Sequence, residues 1–204
     1  MFQSAVDYLS QQGHQVKTSD LFAMKFDPVS GRHNFKTVND PNYYKQQLEE
    51  MLASKENGFV PELDEEMTKL EWCDLLIIQF PLWWFGLPAV LKGWVDRVFV
   101  MGRIYGGGRI YDTGVFKGKK AMLSLTTGSP QESYQPHGFN GDLMGILRPI
   151  HRGILQFTGF TVLPPFTVYG PVHLTPEQRQ GELTRFCRRL ETIDKDAPLD
   201  IGEY

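Results

Sequence analysis

The segment DLLIIQFPLWWFG, residues 74–86, combines a predicted buried strand with an aromatic cluster. Its near-continuous apolar run is typical of a strand that is covered on both faces, as in a parallel sheet. Such strands usually end in small polar turn residues, but here Pro81 is followed closely by Trp83, Trp84 and Phe85. A wide aromatic surface at the end of a strand favours a binding site for a flat ligand.

Predicted helices and strands alternate on both sides of this segment. Helices are predicted over residues 2–12, 41–55, 87–101 and 142–157, and further helices begin at Pro61 and at the capping box Thr175–Gln178. Strands are predicted over residues 14–21, 74–80, 120–126 and 160–168. The alternation predicts an α/β fold in which helices cover both faces of a parallel sheet.

Composition excludes several classes of protein. The chain has 204 residues, 41% of them hydrophobic and 22% charged, and a net charge of −3. This favours a single globular domain over residues 1–204 without a nucleic-acid footprint, a membrane-spanning segment or a signal peptide. Cys73 and Cys187 lack a metal or redox spacing, and the five histidines lack ligand spacing, so we expect no metal site and a cytoplasmic protein.

The two central predicted strands end in segments that should line one crevice. In an open parallel sheet, ligands bind outside the carboxyl ends of the strands, which is where PLWWFG and TTGS (Thr126–Ser129) both lie. Trp84 and Phe85 offer faces for stacking on a ring, and the turn that follows Thr126 offers backbone N–H donors. These residue types suit a flavin. The alternative is that the aromatic side chains fill a corner of the core.

Four segments resemble the NAD(P)H:quinone oxidoreductase family, whose members have a flavodoxin-like fold. They are QFPLWWFGLPAVLKGWVDRVF (residues 79–99), IYDTGVFKGKKAMLSLTTG (110–128), YQPHGFNGDL (134–143) and PIHRGILQFTGF (149–160). The resemblance implies a flavodoxin-like three-layer parallel sheet and a homodimer. It also implies bound FAD, or FMN as in some relatives, and two-electron reduction of quinones by NAD(P)H in a ping-pong hydride mechanism.

The resemblance also assigns site residues. The segment that wraps the isoalloxazine corresponds to Pro81, Leu82, Trp84 and Phe85, with Trp84 also lining the substrate pocket. The loop that binds the flavin edge corresponds to Thr126, Thr127, Gly128 and Ser129. Tyr134 corresponds to the catalytic tyrosine, which contacts flavin, and Asn140 to its partner in the substrate pocket. Tyr105 and Phe157 correspond to aromatic residues that reach the pocket across the dimer interface.

The chain departs from the family pattern at three places. Asn140 replaces a histidine found in many members, and an asparagine cannot relay a proton at neutral pH. Gly107 replaces a tyrosine that lines the pocket, which should widen its mouth. Finally, the strand and phosphate-binding loop that precede the first helix in the family have no counterpart before residues 2–12. We therefore expect a sheet that lacks its usual first strand. The expected cause is a start site placed too late or a truncated gene, and the expected consequence is poor solubility or incomplete flavin binding.

Two alternatives to a quinone reductase follow from the resemblance. One is a flavoprotein of this fold that acts as an ancillary regulator of a potassium-efflux system. The other is a non-catalytic remnant that cannot hold flavin.

Overall fold

The structure is a computed structural model of the chain and describes residues 1–202. The helices are α1 (Phe2–Gln11), α2 (Gln46–Glu56), α3 (Pro61–Trp72), α4 (Ala89–Val98), α5 (Leu143–Ile150) and α6 (Pro176–Glu191). The strands are β1 (Leu75–Pro81), β2 (Lys120–Thr127), β3 (Thr161–Val162) and β4 (Phe166–Tyr169). Within this range no helix is both long and apolar enough to cross a bilayer.

All strand pairs in the sheet are parallel, as the alternating pattern predicts. β1 pairs with β2 from Leu75 opposite Lys120 to Pro81 opposite Thr126. β3 and β4 lie together along the other edge of β2. They are two parts of the predicted strand 160–168, interrupted at Pro164 and Pro165, because proline has no N–H group to donate to a ladder.

Helices cover both faces of the sheet, so the predicted three-layer α/β arrangement is confirmed. Leu75 and Ile77 of β1 pack in a cluster with α1 and α6, whereas Ile78 and Phe80 belong to the larger core with α2, α3, α4 and α5. Alternate side chains of one strand thus enter opposite cores, as the period of two requires. β1 and β2 therefore run between the two helical layers.

Local helix signals in the sequence are confirmed. Thr175 Oγ1 accepts the N–H of Gln178 at 3.2 Å, and Gln178 Oε1 accepts the N–H of Thr175 at 2.8 Å, which completes the predicted capping box of α6. The helix predicted over 142–157 forms as α5 and continues as a π-helix from His151 to Gln156. Pro149, near the end of α5, has no backbone N–H group to donate. The change from an α-helix to a π-helix follows this residue.

The strand predicted over residues 14–21 is wrong. These residues are irregular, and residues 15–19 form no backbone–backbone hydrogen bond within the described part of the chain. A strand requires a neighbour that supplies the hydrogen-bond ladder. The nearest candidate, β1, lies across a cavity of about 1080 Å³ that both segments line.

Buried polar groups hold the long irregular segment between α1 and α2 against α4. Arg97 is buried, and its Nε donates to Asn34 Oδ1 at 2.8 Å while Nη1 donates to the carbonyl of Asp27. Gly93 of α4 allows this approach, because a Cβ there would lie 2.3 Å from the carbonyl oxygen of Pro28. Side-chain contacts with α4 therefore help to order a segment that forms no long helix or strand of its own.

Candidate active site

The carboxyl ends of β1 and β2 bring the two segments of the predicted crevice together. Pro81 pairs with Thr126, and the N–H of Leu82 donates to the carbonyl of Thr126 at 2.8 Å. The side chain of Leu82 is buried in the core. The chain is therefore anchored up to Leu82, and the residues that follow project from the edge of the sheet.

These projecting residues form a tight turn, Trp83–Gly86, which we call the aromatic turn. The N–H of Gly86 donates to the carbonyl of Trp83 at 2.9 Å, and Trp84 and Phe85 have φ values of +49° and +58°. Turns with two consecutive positive φ values usually contain glycine or asparagine, and an L-residue there costs roughly 1–2 kcal/mol. Backbone strain of this kind is concentrated at functional sites.

The rings of the aromatic turn face solvent. The side chains of Trp83, Trp84 and Phe85 are 57%, 97% and 51% exposed. The alternative in which they fill a corner of the core is therefore wrong. An exposed tryptophan held in a strained turn beside the strand ends provides a flat apolar face for a ligand.

The loop Thr126–Ser129 provides hydrogen-bond donors beside this face. Thr127 Oγ1 donates to the carbonyl of Ser129 at 2.8 Å, and the carbonyl of Thr127 accepts the N–H of Gly170 at 3.0 Å, which fixes the loop. The N–H groups of Gly128 and Ser129 form no backbone–backbone hydrogen bond within residues 1–202. The space in front of Gly128 is open, since a Cβ there would meet no atom within 4 Å. The edge of a ligand can therefore approach both donors.

Tyr134 and Asn140 belong to one closed loop after β2. The N–H of Asn140 donates to the carbonyl of Ser133 at 2.8 Å, which brings Asn140 back beside Tyr134. Gly138 permits this closure, because a Cβ there would lie 2.4 Å from the carbonyl oxygen of Glu132. Tyr134 is buried, with its ring 6.0 Å from that of Tyr169. Burial is the main cause of a raised pKa for the Tyr169 hydroxyl.

Tyr105 and Phe157 lie together in a different part of the chain. Their ring centroids are 5.8 Å apart, and both side chains line a cavity of about 570 Å³ between α2, α4 and the π-helix. The residues lining this cavity do not include Trp84, Tyr134 or the Thr126–Ser129 loop. Within one chain the structure therefore pairs Tyr105 with Phe157 in a cavity that the aromatic turn does not line.

The turn after Tyr105 contains three glycines with positive φ, and Gly107 at +62° is the middle one. A Cβ at Gly107 would meet no atom within 4 Å. A side chain at this position would therefore project into open space. The wider pocket mouth that the sequence analysis expects from Gly107 stays a prediction.

The sequence analysis missed the groups that hold Tyr105 in place. Glu50 is 3% exposed, and its carboxylate accepts the N–H of Met101 at 2.7 Å. Ser54 Oγ donates to the carbonyl of Met101 at 3.2 Å, and the carbonyl of Tyr105 accepts the N–H of Gly102. Burial is the main cause of a raised pKa for Glu50, and the hydrogen bonds that its carboxylate accepts from Met101 and Gln46 oppose it. The spacing of Gln46, Glu50 and Ser54 at every fourth residue of α2 was the available signal.

No group of His, Cys, Asp and Glu side chains within residues 1–202 could hold a metal ion. His137, the histidine nearest Asn140 in sequence, is exposed. The chemical groups at the strand ends are thus aromatic faces, backbone donors, a buried tyrosine and an amide. This set suits a planar organic ring.

Comparison with known proteins gives consistent results. The family of flavodoxin-like fold matches residues 1–192. NAD(P)H dehydrogenase [quinone] 1 of Cavia porcellus is 44% identical over 200 residues, which cover 98% of this chain and 73% of that protein. A provisionally assigned quinone reductase from Klebsiella pneumoniae superposes with a TM-score of 0.93 and 35% identity, over 97% of this chain and 79% of that one. General stress protein 14 of Treponema denticola, solved in complex with FMN, superposes with a TM-score of 0.53 and 30% identity, over 65% of this chain and 72% of that one.

Proposed function

Because this chain belongs to the flavodoxin-like family that includes the NAD(P)H dehydrogenases [quinone], we propose that it is a flavin-dependent NAD(P)H:quinone oxidoreductase. The observation that carries the proposal is the pairing of an exposed, strained aromatic turn with open backbone donors at the ends of β1 and β2. A bound flavin would supply the redox chemistry, accepting two electrons as hydride from NAD(P)H and passing them to a quinone in ping-pong order.

The ring site would be built from two walls. Trp84 and Phe85 would stack on the ring system, while Pro81 and Leu82 fix the turn to β1. The N–H groups of Gly128 and Ser129, in the loop that Thr126 and Thr127 begin, would donate to the carbonyl and nitrogen edge of the ring. Both walls are attached to paired strands, so they are preorganised before a ligand arrives.

Tyr134 and Asn140 would act at the same edge. The Tyr134 hydroxyl would donate a hydrogen bond that strengthens as negative charge develops on the ring. Asn140 would orient the quinone through its amide, which donates and accepts hydrogen bonds but does not titrate. The loop closure between Ser133 and Asn140 holds the two side chains on one segment. Protons would therefore come from Tyr134 or from solvent rather than from a histidine.

The substrate pocket would be completed by a second protomer. Tyr105 and Phe157 are paired with each other in a cavity that the aromatic turn of their own chain does not line. We propose a homodimer in which these two rings line the quinone site of the other protomer, opposite Trp84.

FAD is the proposed cofactor, by resemblance to the family, and the FMN complex of the Treponema denticola protein supports a flavin in general. We propose that residues 1–204 form one domain and that the protein is cytoplasmic. Its two cysteines, Cys73 and Cys187, are free, as is typical of a reducing compartment.

The test is reconstitution of the purified chain with FAD and, separately, with FMN. Absorbance in the flavin band measures loading, and stopped flow measures reduction by NADH or NADPH and reoxidation by a water-soluble benzoquinone. Parallel double-reciprocal plots are expected for a ping-pong enzyme. A chain that binds flavin without turnover would favour the regulatory alternative, and a chain that binds no flavin would favour the remnant.

A further inference from the structure

Two large apolar side chains are more exposed than any other in the described chain. Trp84 and Phe139 are each 97% exposed, whereas the next of them, Phe22, is 75% exposed. Both lie on loops that follow the carboxyl ends of the central strands, Trp84 after β1 and Phe139 after β2. The proposed function gives Trp84 a ligand to stack on, but it leaves the ring of Phe139 without a partner.

The loop that carries Phe139, residues 133–141, is held at both of its ends. Near its start, Tyr134 is buried, with its ring 6.0 Å from that of Tyr169. Directly after its end, Asp142 caps α5 by accepting two backbone N–H groups of the first helical turn. The loop therefore projects from two fixed points.

Hydrogen bonds within the loop also fix the two residues that flank Phe139. The N–H of Gly138 donates to the carbonyl of Gln135 at 2.8 Å, and the N–H of Asn140 donates to the carbonyl of Ser133 at 2.8 Å. The backbone of Phe139 thus lies between two anchored residues, while its side chain projects into solvent. The exposure of the ring is set by the conformation of the loop.

The neighbours of Phe139 indicate what its ring would contact. Asn140, which is proposed to orient the quinone, is the next residue, and adjacent Cα atoms are about 3.8 Å apart. A side chain that points outward beside Asn140 would meet the part of a substrate that projects from the site. Residues 133–141 contain no lysine, arginine, aspartate or glutamate. The loop therefore offers that part of the substrate an apolar surface and no carboxylate or basic partner.

Building on the proposed function, we propose that Phe139 is a specificity residue of the quinone site. Its ring packs against an apolar substituent of the quinone, an alkyl or prenyl chain that extends past Asn140 to the surface. The contact removes both apolar groups from water, so it favours substituted quinones over unsubstituted ones. Because the contact lies away from the reacting ring, Phe139 determines which quinone binds and leaves the hydride step unchanged.

The test compares two benzoquinones that differ by one prenyl chain, using the flavin-loaded protein. Turnover gives kcat and KM for each quinone, and calorimetry of the oxidised protein without NAD(P)H gives each dissociation constant. In Phe139→Ser the preference for the prenylated quinone should fall about five- to tenfold in both measurements, through KM and not kcat. Phe139→Leu keeps an apolar side chain and should retain most of the preference. Differences in reactivity between the quinones cancel, since both are measured in every variant.

Phe22→Ser is the matched control, because it removes an exposed phenylalanine from the segment between α1 and α2. It should keep the preference of the parent chain. Turnover with an unchanged preference in Phe139→Ser would overturn the inference and leave the reductase activity standing. So would an unchanged preference together with loss of an oligomer in light scattering, which would place Phe139 in a protein interface. The expected loss of preference in calorimetry, without turnover of either quinone, would support the contact at Phe139 and refute the reductase activity.

Discussion

Replacing Trp84 by glycine should stabilise the ligand-free protein while weakening flavin binding. The Trp84 side chain is 97% exposed, so its removal sacrifices almost no buried apolar area. Its backbone has φ of +49°, which costs an L-residue roughly 1–2 kcal/mol and costs glycine nothing. Glycine offsets about 0.5–1 kcal/mol of this gain through the greater entropy of the unfolded chain. The net gain is about 0.5–1 kcal/mol, or an increase in Tm of roughly 1–4 °C for a domain of this size.

Trp84→Ala is the matched control, because alanine also lacks the ring but keeps the cost of a positive φ. Scanning calorimetry of the flavin-free proteins should therefore place Trp84→Gly above Trp84→Ala and the parent chain. Both variants should bind flavin about 2–12-fold more weakly in a fluorescence titration, the loss expected for one stacked aromatic pair. If Trp84→Gly melts below Trp84→Ala, or if both bind flavin like the parent chain, the reasoning on the aromatic turn is refuted.

Three further perturbations test other parts of the chain. Tyr134→Phe should slow flavin reduction by NAD(P)H in stopped flow, and a clear ionisation near the ordinary histidine pKa of about 6.5 in that step would show that a histidine acts instead. Burial lowers the pKa of His151 to about 4. Between about pH 6.5 and 4 the unfolded chain therefore binds a proton that the folded chain does not, and the free energy of unfolding falls as the pH drops through that window, by about 3 kcal/mol at most. His151→Leu should remove this pH dependence from free energies measured by urea unfolding. Glu50→Ala leaves the N–H of Met101 without its acceptor. It should lower the free energy of unfolding by about 1–3 kcal/mol and raise the quinone KM. Glu50→Gln keeps an acceptor oxygen, so its effects on the free energy of unfolding and on the KM should be smaller.

The sheet, and the meeting of its strand ends at the candidate site, were predictable because they depend on local patterns. The apolar runs of β1 and β2, and the turn residues that follow them, predict parallel strands whose ends meet. That meeting is confirmed by Pro81 opposite Thr126. The capping box of α6 was predictable for the same reason, since its two hydrogen bonds join residues three apart.

Other features depend on contacts between residues distant in sequence, and the sequence did not reveal them. Residues 14–21 have a weakly alternating pattern, but a strand forms only when a neighbour completes its ladder, and no pattern within the segment shows whether that neighbour is present. The positive φ of Trp84 is likewise invisible, because tryptophan is not a residue that favours the left-handed region. The contact of Glu50 with Met101 joins residues 51 apart in sequence and depends on the tertiary fold.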